Sequence, residues 1–167
     1  MKDYFNDVIS FDSLYFGLRK SCNGVRWKDS TVNYEANGLK NTLVLCEKLE
    51  NETYEISDYQ VFKIHEPKER IIMAARLIDR QFQRSLCDNG LYEDITEHFI
   101  RDNVACQVGR GTSDALDRLT YLLRRYYRKN GNKGWVLKCD IRHFFQEVNH
   151  SVAKEVIRKI VSDKKAA

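Results

Sequence analysis

The chain has 167 residues, 43% of them apolar and 31% charged, with a formal net charge of +4. That length suits one domain, or a piece of a larger one, with room for a sizeable core, and so mild a charge does not by itself call for a polyanionic partner. Five cysteines, an odd number with no C-x-x-C spacing, argue against a disulfide framework or a zinc site and suit small buried thiols in a reducing cytoplasm. The opening MKDYFNDVIS lacks the apolar run of a signal peptide, and no stretch is long enough to span a membrane.

One proline and eight glycines leave little room for long disordered linkers. In chain order, SFDSLYFGLRKSC reads as a short helix opened by Ser10 or Asp12. A basic loop, NGVRWKDS, follows. Val32, Ala36, Leu39, Leu43, Cys46 and Leu49 then recur at steps of three and four, which predicts one long amphipathic helix beginning after Ser30 and running through Gly38. Two β-rich runs, 60–65 and 70–75, flank the charged turn EPKE and read as a hairpin. LIDRQFQRSLCDNG returns to helical spacing and reaches a C-terminal signal at Asn89-Gly90, and ITEHFI is a further short helix. After the loop Gly109-Arg110-Gly111, Thr112-Ser113 is the expected N-cap of a helix that closes at Asn130-Gly131. WVLKCDIRHFF, from Trp135, reads as an apolar strand carrying Asp140. NHSVAKEVIRKIV is a last helix capped by Asn149 or Ser151. The order gives an α+β fold whose sheet is incomplete at the C-terminal end.

Asp140 is the anomaly in this pattern. A carboxylate buried unpaired in an apolar strand is costly. It can escape that cost at the exposed end of the strand, capping a turn, or by coordinating a cation.

The stretch VLKCDIRHFFQEVNH resembles the first palm motif of reverse transcriptases, in particular the bacterial group of retron, group II intron and diversity-generating enzymes. Asp140, Phe145 and Asn149-His150 carry that match. EPKERIIMAARLIDR is similar to the fingers motif of the same family, and ACQVGRGTSDALDRL to the fingers motif that follows it. The three stand in the family's order and cover more than half of the chain. The resemblance implies an N-terminal helical extension over 1–57, fingers over 58–133, and the start of a right-hand palm over 134–167. It implies binding of an RNA template, a DNA primer and an incoming dNTP, with nucleotidyl transfer assisted by two Mg2+ ions. Asp140 would bridge the ions, with the backbone carbonyl of Ile141 assisting one of them. Phe145 would lie under the incoming sugar and reject a 2′-hydroxyl, unless it is plain core. Lys68, Arg70 and Arg80 would meet the triphosphate, although Arg80 can instead pair with Asp79. Gly109, Arg110 and Gly111 would meet the template, or form only a tight loop with Arg110 in solvent.

The sequence departs from the family in one respect. The enzymes carry a second palm motif with paired aspartates, and no Asp-Asp pair occurs here. We therefore expect the fingers and first palm strand of a longer polymerase, inactive by itself and prone to pair with a second copy near residues 135–161 as a dimer. The competing expectation is a non-catalytic RNA-binding module with a similar fingers fold.

Overall fold

A computed structural model describes residues 4–65 and 67–161. The fold is α+β: helices and one two-stranded antiparallel sheet. No helix among the described residues is long and apolar enough to cross a membrane.

The core is helical. It is built from α1 (Tyr4–Ile9), α2 (Phe11–Cys22), α4 (Gly38–Glu50) and α5 (Leu77–Leu86). Leu14, Leu18 and Leu45 are fully buried at its centre, with Val8, Ile9, Cys46 and Leu49 around them. Burying a leucine contributes about 1.5–3 kcal/mol, so these few side chains are the main apolar anchor. Tyr54 and Phe82 meet edge to face at 5.1 Å on the flank of this core. Ser10 begins α2 as expected, its hydroxyl accepting from the Ser13 amide.

Helices α2 and α5 cross closely at Gly17. A Cβ there would lie 2.7 Å from the Gln81 carbonyl oxygen, so only glycine permits the approach. The tight crossing places Gln81 in the interior with every side-chain atom bonded. Its Nε2 donates to the Leu14 carbonyl and to Thr42 Oγ1, and its Oε1 accepts from the Tyr34 hydroxyl at 3.0 Å. Ser85, also buried, donates to the Val8 carbonyl at 2.6 Å. These buried polar groups tie five helices together at specific points.

The expected long helix after Ser30 is two helices, α3 (Asp29–Ala36) and α4, broken at Asn37. The buried side is only partly the expected one. Cys46 and Leu49 face inward as expected, joined by Thr31, Thr42 and Leu45, whereas Val32, Leu39 and Leu43 are exposed, Leu43 at 54%. The reason lies at Gly38, where a Cβ would stand 3.0 Å from Leu18 Cδ2. That close approach sets the rotation of α4, and the inward Thr42 hydroxyl is satisfied by donating to the Gly38 carbonyl at 2.7 Å.

The hairpin forms as read, with β1 (Gln60–Ile64) antiparallel to β2 (Arg70–Ala74). Asn89-Gly90 does not end the helix before it. α5 runs on through a π-helical turn, Cys87–Leu91, into α6 (Tyr92–Glu97). Asp88 explains the continuation, since it pairs with Lys20 of α2 at 2.7 Å and with Arg84 at 3.0 Å, while Gly90 is buried. Helix α7 (Thr112–Asn130) is capped by Gly111 rather than by Thr112 or Ser113. The Asp114 carboxylate accepts from the Gly111 amide at 3.0 Å, which removes the need for a hydroxyl cap. α7 ends where expected, at Gly131 with φ of 64°.

The strand expected from Trp135 does not form. Residues 132–142 are irregular or turn, and Trp135, Val136 and Leu137 are exposed, Trp135 fully at 102%. A strand exists only when its amides and carbonyls find a neighbour, and among the described residues β1 and β2 pair only with each other. The short α8 (Phe144–Glu147) and α9 (His150–Ile160) follow, α9 capped by the Asn149 side chain as expected. Buried thiols were expected throughout, but only Cys22 and Cys46 are buried. Cys87 is exposed on the outer face of the turn that continues α5, and Cys106 and Cys139 are exposed in segments outside the helical core.

Candidate functional site

The hairpin register puts Ile64 opposite Arg70 and Phe62 opposite Ile72, so Arg70 shares a face with these apolar side chains. Lys68 stands in the turn. Glu69, the acid beside both, is taken by Lys63 at 2.9 Å and lies 3.8 Å from His65 Nδ1. Among the described residues Lys68 and Arg70 have no ion pair, and both are exposed. The turn therefore presents two cations to solvent from a short two-stranded support.

The base of this hairpin is held by a buried carboxylate. Asp79, in the first turn of α5, is fully buried. Its Oδ1 accepts from the Tyr54 hydroxyl at 2.6 Å and from the Ser57 amide and hydroxyl at 3.3 Å each. Its Oδ2 has no partner among the described residues. Ser57 lies three residues before β1 and Leu77 three after β2, so one side chain joins both feet of the hairpin. Burial pushes the Tyr54 hydroxyl upward, with its bond to Asp79 as the second cause. Burial pushes Tyr34 up to about 12, with the charge of Asp79 next in importance.

Arg80 does not pair with Asp79. Its guanidinium donates to the Ser21 carbonyl at 3.1 Å, at the C-terminal turn of α2, where a cation suits the exposed carbonyls. Arg80 and Arg76 also line a groove of about 230 Å³ between the hairpin base and α3. Arg76 was not among the candidate residues of the sequence. Only its position, between the strand and the start of α5, brings it beside Arg80.

The loop before α7 is pinned on several sides. Arg110 donates to the Arg101 carbonyl at 2.8 Å, Tyr92 accepts from the Val108 amide at 2.6 Å, and Arg118 pairs with Asp102. Arg110 is thus partly engaged in closing its own loop. Gly109, with φ of 74°, turns the backbone outward, and nothing lies within 4 Å of an added Cβ at Gly109 or Gly111. A second chain could approach this backbone closely.

Asp140 and Ile141 are exposed in the irregular segment before α8. His143 turns the chain with φ of 52°, and Phe145 is 86% exposed, meeting Phe144 edge-on at 5.3 Å. Among the described residues no hydrogen bond or ion pair joins Asp140 to Lys68, Arg70, Arg80 or Arg110. No group of three or more His, Cys, Asp and Glu side chains there could hold a metal ion. A two-ion site needs several carboxylates around it, so Asp140 with the Ile141 carbonyl does not by itself fit a pair of Mg2+ ions.

Compared with models of known protein families and with curated proteins, the chain has no match. Any family assignment therefore rests on the three motifs alone.

Proposed function

We propose that this chain carries the fingers and the first palm motif of an RNA-directed DNA polymerase, acting on an RNA template, a DNA primer and an incoming dNTP. The observation that carries the reading is the order of three motifs: the basic hairpin leading into Asp79-Arg80, the glycine-arginine loop opening a helix, and Asp140 followed by Phe145 and Asn149-His150. The local structures are compatible with those roles. Among the described residues Lys68 and Arg70, on the hairpin, have no ion pair, and the Gly109-Arg110-Gly111 backbone is open to another chain. In this reading Arg70 and Lys68 neutralise the triphosphate. Arg80, on α5, holds the C-terminal turn of α2 rather than reaching the phosphates. Phe145 is free of core packing, which suits a contact with the incoming sugar. Asp140 supplies one carboxylate to a Mg2+ site completed by carboxylates that this sequence does not contain, so the chain alone does not extend primers.

A second reading, a non-catalytic RNA-binding module, draws on the lack of an Asp-Asp pair in the sequence. One experiment separates them. The reading frame that encodes this sequence is expressed as it occurs and assayed for primer extension on an RNA template with Mg2+. Extension that disappears in Asp140→Ala while template binding persists supports the polymerase. RNA binding without extension supports the module, and extension unaffected by Asp140→Ala overturns the assignment of Asp140.

A further inference from the structure

Between Asp117 and Asp140 the chain contains no acidic residue and seven Lys or Arg. Those seven exceed the +4 of the whole chain, so the remainder is net acidic. The stretch also carries Tyr121, Tyr126, Tyr127 and Trp135. Basic and aromatic residues so interleaved are the composition of a surface that meets phosphates and bases together. Composition alone does not distinguish this from the wet face of a helix. Three features of the structure do.

First, the stretch folds into a groove of about 750 Å³, between the C-terminal half of α7 and the turn that follows it. The groove is fixed in shape. The Tyr126 hydroxyl donates to the Lys133 carbonyl at 2.9 Å, and Gly134 packs so close that a Cβ would stand 2.7 Å from that hydroxyl. Second, its aromatic rings are available: Trp135 is fully exposed, Tyr127 64% exposed, and Tyr126 lines the wall between them. Third, its cations are unspent. Away from the groove Lys20, Arg26, Lys63, Arg84 and Lys159 each sit against a carboxylate, as does Arg118 at the start of the stretch. Arg125, Lys129 and Lys133, on the groove, have no ion pair and no side-chain hydrogen bond among the described residues. An apolar protein partner would bury those three cations without compensation, at a large desolvation cost. A polyanion with flat apolar faces satisfies both halves of the surface.

We propose that this groove binds single-stranded nucleic acid, its bases stacked on Trp135 and Tyr127 and its phosphates held by Arg125, Lys129 and Lys133. The site involves none of Lys68, Arg70, Arg110 or Asp140, and it does not require the chain to be part of a polymerase. Single strands are specified because a base within a duplex has no free face to offer an indole.

The test uses the full chain, whose tryptophans are Trp27 and Trp135. In a Trp27→Phe background all tryptophan emission comes from Trp135. A 12-residue oligouridylate should quench that emission, whereas heparin, a polyanion without bases, should displace the oligonucleotide without quenching. With three phosphates neutralised on a single strand, affinity should fall about 20-fold between 50 and 200 mM salt. The triple variant Arg125→Ala, Lys129→Ala, Lys133→Ala should lose most of that salt dependence. Trp135→Ala should weaken binding by about 5- to 150-fold, the range for one stacked base. Both variants alter exposed side chains, and an unchanged circular dichroism spectrum confirms that they fold. Oligonucleotide binding that leaves Trp135 emission unmoved overturns the proposal, as does undiminished binding by the triple variant. Emission that shifts with protein concentration alone also overturns it, because the face is then an interface between copies. Loss of primer extension in an Asp140 variant has no bearing on any of these readouts.

Discussion

Asp79→Ala, set beside Asp79→Asn, measures what the buried carboxylate contributes to the hairpin base. The carboxylate accepts one short bond, from Tyr54 at 2.6 Å, and two long ones from Ser57 at 3.3 Å. A hydrogen bond to a charged group contributes about 1.5–3 kcal/mol, and long bonds contribute less. Truncation to alanine removes all three and leaves the Tyr54 hydroxyl without its acceptor, so we expect a loss of about 3 kcal/mol. The charge itself works the other way. Among the described residues no cation contacts Asp79 and its Oδ2 has no partner, so the folded state bears the desolvation of an uncompensated carboxylate. Asp79→Asn retains an acceptor for Tyr54 and removes the charge, and should therefore stay within about 1 kcal/mol of the wild type. Urea unfolding followed by circular dichroism gives both values. Amide exchange at Ser57 gives a local readout, and its protection should vanish in Asp79→Ala while that of the core helices falls only with global stability. Equal losses for the two variants, or a loss below about 1 kcal/mol for alanine, would show that the Tyr54–Asp79–Ser57 cluster does not hold the hairpin.

Gly17→Ala places a Cβ 2.7 Å from the Gln81 carbonyl, so overpacking of about 1–3 kcal/mol should outweigh the helix-propensity gain of about 1 kcal/mol. A lowered urea midpoint checks it. The Tyr34 hydroxyl, raised to about 12 chiefly by burial, stays protonated in the folded chain when the unfolded chain has begun to release its proton near pH 10. Its contribution is complete below about pH 10 and is lost as pH rises through about 12. Unfolding midpoints across that window should fall less steeply in Tyr34→Phe than in the wild type. Asp140→Ala, at an exposed position with no partner among the described residues, should change stability by no more than about 0.5 kcal/mol by urea unfolding, whatever it does to activity. Cys106 and Cys139 should react quickly with a thiol reagent, whereas Cys22 and Cys46, buried and with thiols pushed upward by that burial, should react only as the chain unfolds.

Local chemistry was legible in the sequence wherever a residue acts on its own neighbours. Ser10 and Asn149 cap α2 and α9 because a side-chain oxygen reaches an amide two or three residues on. Gly131 closes α7 because it accepts a positive φ. The charged turn between two β-rich runs gives the hairpin for the same kind of reason. The motif residues of the candidate site were equally readable by type and order. Their surroundings were not: the bonds that tie Arg80 to α2 and Arg110 to its own loop run to backbone carbonyls 59 and 9 residues away. Tertiary structure decided the features that depend on a distant partner. Leu18 over Gly38 breaks the helix at Asn37 and turns Thr42 inward in place of Leu43. Lys20 on Asp88 carries the chain past Asn89-Gly90. The apolar run from Trp135 has strand composition and no strand beside it, and a backbone without a neighbour to bond has no reason to extend into a sheet. The sequence offered Asp79 only as an alternative partner for Arg80 and gave Gln81 no role. They became interior groups because the crossing at Gly17 brings α2 close enough to cover Gln81, and because Tyr54 and Ser57 close over Asp79.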